Sequence, residues 1–318
     1  MPGQSYKILF TADFHARREH FEDALIAGRN EKVNAFVFGG DMVSAKGKYF
    51  SHYEFVKSQK NFINNFLIPF LKEVKSNGTE IYFMMGNDDC KCNLDLFRKI
   101  NDDGLARLLC DDKQSFVYEL AGGIKISGYG YVAPTPFDRI IKEWEKWDYD
   151  GAWEKFLAFG PWIKTKGWKS TDERGEMKIE EIDLMNQHEA LSKDLERLAL
   201  LTEKPEKTIY AIHDSPRETN LDVVSRGHTG SIAVRDFIQK YSPLATLHGH
   251  IHESPWLTGI FGEEIGKTWS FNCGKQFIVF DIFDIKNYAV VENEFKGRIR
   301  TVAVGEDGYK NKYLAKPL

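Results

Sequence analysis

Short runs of apolar residues alternate along this chain with longer segments in which apolar residues recur every three or four positions. The short runs are typical of buried strands, and the longer segments are typical of amphipathic helices. The strand-like runs cover residues 6–10, 35–38, 80–85, 208–213 and 244–247. Because strands alternate with helices over much of the chain, the pattern predicts an α/β architecture.

Helical periodicity predicts helices over residues 20–29, 53–75, 179–201 and 232–241, and one that starts at about Leu94. Asn93 and Ser231 directly precede two of these segments, so both are predicted N-caps. The long segment 53–75 places four aromatic residues at helical spacing, namely Phe55, Phe62, Phe66 and Phe70. This spacing indicates that the four rings pack into the core.

Alternating apolar residues predict antiparallel strands in two further regions. The first is a hairpin formed by residues 116–120 and 124–129, with its turn at Gly122 and Gly123. The second is the end of the chain, with strands predicted over 267–271, 277–285, 288–295 and 299–304. The chain therefore combines α/β order with a final antiparallel region.

Composition and charge narrow the classes of function. The chain has 318 residues, of which 42% are hydrophobic and 14% aromatic, enough to form a large core. Its formal net charge of -4 and pI near 6.2 provide no basic field for a polyanion. Nucleic-acid polymers are therefore disfavoured as partners, and a small substrate is expected. The sequence shows no recognisable signal peptide and no apolar stretch of about 18 residues. We therefore predict a cytoplasmic protein without membrane contact.

The four cysteines do not form a recognisable metal or disulfide motif. Cys90 and Cys92 are close in sequence, but the second pair that a structural zinc site requires is missing. We therefore expect all four, including Cys110 and Cys273, to be free thiols in a reducing compartment.

Residues 132–207 interrupt the α/β order and contain five of the seven tryptophans: Trp144, Trp147, Trp153, Trp162 and Trp168. No glycine-rich or proline-rich linker flanks this region, so we predict a largely helical insertion within a single domain spanning 1–318. Two roles stay open for it. The tryptophans either anchor a structural cover, or they form a cap that contacts substrate.

Side chains that can bind metal ions follow directly on five of the apolar runs. In chain order they are Asp13 and His15, Asp41, Asn87, His213, and finally His248, His250 and His252. An isolated His-x-His pair is more often a pair of surface histidines. Five such clusters at the ends of predicted strands instead favour a metal site.

This ordered set resembles the calcineurin-like metallophosphoesterase superfamily, in particular its compact stand-alone members. The resemblance is carried by Asp13-Phe14-His15, Gly40-Asp41, Gly86-Asn87, His213 and Gly249-His250-Ile251-His252. It implies a four-layer α/β/β/α sandwich of two mixed β-sheets flanked by helices, with a two-metal centre. It also implies that Asp13, His15 and His252 bind one metal, that Asn87, His213 and His250 bind the other, and that Asp41 bridges them.

The chemistry of these donors agrees with that implication. Mixed histidine and carboxylate ligands favour Mn, Fe or Zn over Mg or Ca. Two divalent ions about 3.5–4 Å apart activate a shared water and stabilise an in-line displacement at phosphorus. We therefore expect hydrolysis of a small phosphomonoester or phosphodiester, with the metal-bridging hydroxide as nucleophile.

One position departs from the pattern of many family members, which carry a histidine general acid directly after the asparagine. Here that position is Asp88. A carboxylate beside two cations stays ionised and cannot donate a proton at neutral pH. The leaving group therefore needs no proton, or another residue such as His228 supplies it. The alternative interpretation of His228 is that it is a solvated loop residue without a catalytic role.

Three arginines, Arg17, Arg18 and Arg217, are candidates for binding the substrate phosphate, although surface arginines are common. Free N–H groups at the helix start after Gly227-His228-Thr229-Gly230 also suit an anion. His248 precedes the motif glycine and is interpreted as structural.

Two other functions compete with the hydrolase. A protein of this fold that has lost its chemistry would serve as a binding scaffold, and Asp88 is the feature that favours this. A nuclease would share the metal site, but the acidic net charge argues against it. The identity of the ester, the resident metals and the oligomeric state stay open at this stage.

Overall fold

Two mixed β-sheets form the centre of the protein. The computed structural model describes residues 5–44, 51–136, 141–150, 164–173, 176–187, 189–293 and 299–304. The strands are β1 (Lys7–Thr11), β2 (Ala35–Phe38), β3 (Glu80–Phe83), β4 (Arg107–Leu108), β5 (Tyr118–Glu119), β6 (Lys125–Tyr129), β7 (Lys166–Glu173), β8 (Glu176–Asp183), β9 (Thr208–Ile212), β10 (Val223–Val224), β11 (Gly227–His228), β12 (Ala245–His248), β13 (Gly262–Ile265), β14 (Thr268–Asn272), β15 (Phe277–Asp281), β16 (Asp284–Asn293) and β17 (Ile299–Ala303).

The first sheet has the order β17-β16-β15-β1-β2-β3-β4, and the second has the order β13-β14-β12-β9-β6-β5. Strands β1 to β4 are parallel, whereas β15 joins β1 in antiparallel orientation. In the second sheet β6, β9, β12 and β14 are parallel, with antiparallel edge strands β5 and β13. The parallel strands of each sheet therefore bring their carboxyl ends to one edge.

Alternate residues of the strands face opposite sides, as the pleat requires. In β1, Ile8 and Phe10 belong to the core between the sheets, which also contains Ile209 and Ala211 of β9. Leu9 faces the other way and joins the core under the helices. Helices therefore cover the outer faces of both sheets, and the predicted sandwich of two mixed sheets flanked by helices is confirmed.

The helices are α1 (Arg18–Glu31), α2 (His52–Phe62), α3 (Ile68–Ser76), α4 (Leu94–Asp102), α5 (Leu191–Thr202), α6 (Ile232–Tyr241) and α7 (Ser254–Thr258). A π-helical segment, Ile63–Leu67, joins α2 to α3, so the predicted 53–75 segment is helical throughout. Phe70 is buried in the core, and Phe62 and Phe66 pack against it. Among the described helices, none has the length and apolar character needed to cross a lipid bilayer.

The two predicted N-caps have different outcomes. The Ser231 hydroxyl accepts a hydrogen bond from the Val234 N–H at 3.1 Å, so this cap is confirmed. The prediction for Asn93 is wrong, because its side chain makes no capping bond to α4. Its amide instead lies 3.4 Å from Gln59 Oε1 on α2, a tertiary partner that no local pattern predicts.

The last three strands of the predicted antiparallel region are confirmed, because β15, β16 and β17 pair in antiparallel orientation. The predicted strand 267–271 corresponds to β14, which lies in the other sheet, parallel to β12 and antiparallel to β13. The turn between β15 and β16 also differs from the predicted one. The predicted break lay at 286–287, whereas β15 ends at Asp281 and β16 begins at Asp284. The Phe283 N–H donates to Asp281 Oδ1 at 3.0 Å, so an aspartate side chain defines the turn.

The insertion is not largely helical in its described part. Residues 176–183 form β8, which pairs with β7 in a hairpin, and among the described residues of the insertion α5 alone is an α-helix. The helix predicted over 179–201 is therefore wrong for residues 179–183, which lie in β8, and α5 begins at Leu191. Met177 and Ile179 instead alternate on one face of the strand and pack in a small cluster with Ile141. The prediction of a single domain stays a prediction.

Three of the five tryptophans in the insertion can be located, whereas Trp153 and Trp162 lie outside the described residues. Trp144 is fully buried and its Nε1 donates to the carbonyl of Asp89 at 2.7 Å. Trp147 is also buried and donates to the carbonyl of Leu184. The ring of Trp168 packs against that of His52 on α2, with centroids 4.7 Å apart and the planes tilted by 42°. These contacts favour the structural role for the three located tryptophans.

Candidate metal centre

The predicted ligands lie on loops that follow the parallel strands. Asp13 and Asp41 follow β1 and β2, and Asn87 follows β3. His213 and His250 follow β9 and β12 of the second sheet. Because the carboxyl ends of the strands meet at one edge, residues that are distant in sequence converge there.

Three of the ligands form a compact buried group. One ligand atom from each of Asp13, His15 and Asp41 lies within 4.8 Å of the others, and all three residues are buried. The ring of His252 lies edge-on to that of His15, with centroids 6.2 Å apart. His15 Nδ1 is also 3.2 Å from the hydroxyl of Ser44. Carboxylate and imidazole groups at such distances can hold one transition-metal ion.

A second group lies on the other side of Asp41. His213 Nε2 is 3.2 Å from Asn87 Oδ1 and 3.5 Å from Asp41 Oδ2. The ring of His250 is 5.4 Å from the ring of His213. Asp41 therefore lies close to members of both groups, and the structure brings all seven predicted ligands to one site.

The ionisation of the site reflects its concentrated charge. The pKa of Asp13 is raised to about 6, mainly by burial and also by the Asp41 carboxylate, against the opposing effect of His213. Burial alone would lower the pKa of His213, but Asp41 outweighs it and the pKa rises to about 9. Buried carboxylates that stabilise the protonated form of a neighbouring histidine would also stabilise a bound metal cation.

The backbone of the site adopts conformations that are uncommon for residues with side chains. Asp13, His15, Asp41 and His250 have φ angles of 61°, 48°, 53° and 62°. Left-handed conformations cost about 1–3 kcal/mol each and persist where surrounding contacts impose them, often at functional sites. Four such residues among seven candidate ligands indicate that the loops are shaped by function.

Two glycines are required for the close approach of these loops. A Cβ on Gly40, which has φ of +103°, would lie 2.7 Å from the Cα of Gly86. At the turn after β12 the positive φ belongs to His250 rather than to Gly249. A Cβ on Gly249 would instead lie 2.6 Å from Asp13 Oδ2, so this glycine provides space for the carboxylate.

Asp89 organises the loops, and its role was not foreseen. Its carboxylate accepts hydrogen bonds from the backbone N–H groups of Met42, Val43 and Gly86, at 2.9–3.2 Å. Burial and, to a smaller extent, the Asp41 carboxylate raise the pKa of Asp89 to about 7, although the three backbone hydrogen bonds oppose this rise. Asp89 thus ties the loop after β2 to the loop after β3. In the sequence, Asp89 is only the second aspartate after the apolar run 80–85, and nothing there indicates a structural role for it.

Asp88, which occupies the position of the histidine general acid of many family members, lies at the edge of the site and lines the adjacent cleft. Its backbone N–H donates to Asp41 Oδ1 at 2.7 Å, and its Oδ1 accepts from the Asn87 amide at 3.0 Å. Asp88 lines a cleft of about 910 Å³ together with His250 and His252. The side chain therefore borders the space in which a substrate would lie.

His228 does not line this cleft, although Arg226 and Thr229 do. It is exposed, and its Nδ1 lies 2.6 Å from Asp222 Oδ1. The β10–β11 hairpin thus directs the ring towards a buried carboxylate. This position gives no support to His228 as general acid, and its role stays a prediction.

The three arginines also lie outside the lining of the cleft. Arg17 is exposed just before α1, and Arg18 packs over the ring of Phe66 at 5.2 Å. Arg217 is half-buried, and its guanidinium donates to the carbonyl of Gly230 at 3.4 Å. The cations that do line the cleft are Arg226 and Lys275, which sequence reasoning missed.

His248 is structural, as expected. It is fully buried, and its Nδ1 lies 3.0 Å and 2.7 Å from the carbonyls of Ile212 and Asp214. An Nδ1–H facing two carbonyls fixes the ring and joins β12 to the end of β9.

Replacing His248 by Asn should make folding less sensitive to acid. Burial lowers the pKa of His248 to about 4 from its ordinary value of 6.5. Between pH 6.5 and 4 the unfolded chain binds this proton and the folded protein does not, so the free energy of unfolding falls as the pH falls. The imidazole accounts for up to about 3 kcal/mol of this loss. Urea unfolding with chelator present, from pH 7 to 4, measures it. Equal losses in both proteins would contradict the prediction.

Fold and site together are those of an α/β sandwich protein in which carboxylate and histidine groups that could hold metal ions lie at the strand ends. The family model for calcineurin-like phosphoesterases matches residues 6–254. The chain belongs to this family, and the resemblance inferred from the five clusters is confirmed.

Solved structures agree with the fold. A dimetal phosphatase from Danio rerio is similar with a TM-score of 0.50 and 12% identity, covering 96% of this chain and 99% of that one. A protein from Thermus thermophilus has a TM-score of 0.51 and 14% identity, covering 94% and 99%. At these identities the likeness shows the fold alone. Comparison with curated proteins gives no significant match.

Proposed function

We propose that the chain hydrolyses a small phosphomonoester or phosphodiester with two divalent transition-metal ions, Mn, Fe or Zn. The ligands would be those predicted from the strand ends: Asp13, His15, Asp41, Asn87, His213, His250 and His252. The observation that carries the proposal is the position of Asp41. Its carboxylate lies within 4.8 Å of ligand atoms of Asp13 and His15 and 3.5 Å from His213.

The residues fit such a pair of ions. All seven donors are nitrogen or oxygen atoms, in the mixture that transition metals prefer. His213 Nδ1 lies 2.7 Å from the carbonyl of Gly39, and Nδ1–H donation there leaves Nε2 directed at Asp41 and Asn87. A metal-binding histidine is typically fixed by such a bond from its other ring nitrogen. Burying these carboxylates close together without a cation would be costly.

When bound, the ions would activate a water and neutralise charge on the phosphoryl oxygens. In the reaction a water oxygen replaces the leaving oxygen on phosphorus, and one P–O bond breaks as another forms. The protein loops hold the ligands in place through Asp89. Asn87 orients Asp88, which borders the cleft beside the leaving group.

A panel of phosphoesters, assayed with Mn, Fe and Zn after removal of bound metal, tests the proposal. We expect metal-dependent turnover of small monoesters or diesters, with about two ions bound per chain by elemental analysis. Binding of metal without turnover of any ester would favour the scaffold. Preferential cleavage of DNA or RNA over small esters would favour the nuclease.

A further inference from the structure

The cleft beside the candidate metal centre is larger than a phosphate group requires. Its volume of about 910 Å³ is in the range of pockets that enclose whole small molecules. Asp88, His250 and His252 line one part of it. The rest is lined by α7, the β10–β11 hairpin, the turn after β14, and Thr135 and Pro136 from the start of the insertion. The alcohol part of an ester therefore has a defined space next to the reacting phosphate.

Helix α7 presents unusual apolar surface to this cleft. Trp256 and Leu257 are 41% and 49% exposed, and both line the cleft. Large apolar side chains exposed together beside a polar site indicate a binding surface. Both residues lie just beyond residues 6–254, the range that the family model matches. The family match therefore assigns no role to them.

The exposed indole is held in place. Trp256 Nε1 donates to the carbonyl of Gly274 at 3.0 Å, and the ring packs edge-on against Phe261 with centroids 6.3 Å apart. The adjacent Pro255 packs so closely on Gly274 that a Cβ there would lie 2.9 Å from the proline ring. A fixed aromatic ring offers contact area to a ligand at low entropic cost.

The charges of the cleft suit an anionic ligand near this ring. Arg226 and Lys275 line the cleft, together with the acidic residues Asp88 and Glu253. With metal ions bound at the neighbouring centre, the net field in the cleft would favour an anion. A molecule with a phosphate at one end and a planar apolar group at the other matches this distribution.

We propose that Trp256 is a specificity-determining residue and that it selects phosphoesters whose alcohol group carries a planar aromatic ring. The ring lies against the indole while the phosphate lies at the metal centre. This inference rests on the proposed function and adds a substrate class to it. Simple aryl groups and nucleobases share the required chemistry.

Equilibrium binding separates this inference from the hydrolase proposal. Calorimetry with the metal-loaded protein should show phenylphosphonate binding about tenfold more tightly than methylphosphonate. A nucleoside phosphonate, measured in parallel, tells whether a nucleobase is preferred to a simple aryl group. Trp256→Leu should abolish the aromatic preference, whereas Trp256→Phe, which retains a ring, should keep most of it.

Trp269→Leu is the matched control, because Trp269 on β14 packs on Phe271 of the same strand and on Tyr288 of β16, and it does not line the cleft. It should lower the melting temperature without changing the preference. Equal affinity for the two phosphonates, or weak binding of both, would overturn the inference. Hydrolysis of phosphoesters without aromatic preference would also overturn it while leaving the hydrolase intact. Aromatic preference in a protein that hydrolyses no ester would support the inference and reject the hydrolase.

Discussion

Asp41→Asn should remove bound metal and phosphoesterase activity together. Asp41 lies between the two groups of ligands, within 4.8 Å of ligand atoms of Asp13 and His15 and 3.5 Å from His213. Asparagine has nearly the same shape but lacks the charge that a bridging ligand supplies to both ions. Even partners outside the ligand shell change affinity or activity by about 10–100-fold, so we expect losses of at least about 100-fold for Asp41.

The fold should survive this substitution. Asp41 Oδ1 accepts the Asp88 N–H at 2.7 Å, and an amide oxygen can accept the same bond. Removing this buried negative charge relieves its repulsion with Asp13 and Asp89 but also removes its attraction to His213, so the metal-free protein should stay folded with a modest change in melting temperature. Elemental analysis measures bound metal, a phosphoester assay measures activity, and the melting temperature with chelator measures the stability of the metal-free protein. Asp102→Asn, which makes the same change on the exposed end of α4, is the control. Tight binding of two ions by Asp41→Asn would reject the bridging role.

The positions of the candidate ligands were predictable because each is tied to a strong local signal. An apolar run that ends in Asp13, Asp41 or His213 predicts a strand followed by a loop. Parallel strands then bring such loops to one edge, whatever their distance in sequence. The α/β pattern therefore located the site before any distance was known.

Features that depend on tertiary partners could not be predicted in this way. Asn93 bonds to Gln59 rather than to its own helix, and His228 turns towards Asp222 although it lies between two ligand clusters in sequence. Local patterns carry no information about such partners. The same reason explains why Asp89 was missed, since its three backbone donors come from two different loops.

The residues that line the cleft could not be predicted from the sequence either. Trp256 lies on a helix of five residues, and Lys275 lies in a turn with φ of 69°. Neither segment has a periodicity that would mark it as functional. The arginines chosen from the sequence, Arg17, Arg18 and Arg217, were plausible by chemistry alone, and chemistry without position does not identify a binding residue.

Asp88→His should improve the cleavage of esters with poor leaving groups selectively. Asp88 borders the cleft, and its carboxylate lies 3.8 Å from His15 Nδ1 and 3.0 Å from the Asn87 amide. An ionised carboxylate at this position cannot protonate a departing alkoxide. In the unaltered protein, nitrophenyl esters should therefore be cleaved well and alkyl esters slowly, so kcat/KM should depend steeply on the pKa of the leaving group.

A histidine at position 88 titrates near neutrality and can donate the missing proton. General acid catalysis typically contributes about 10²–10⁴-fold, so alkyl esters should gain up to this factor while nitrophenyl esters change little. A series of aryl and alkyl phosphoesters, assayed at matched metal occupancy, gives the slope for each protein. Asp88→Asn removes the charge without adding a proton donor and should keep the steep slope. A shallow slope in the unaltered protein would mean that another acid already acts. His228→Ala would then identify that acid if it steepened the slope, although the bond between His228 and Asp222 predicts that it will not.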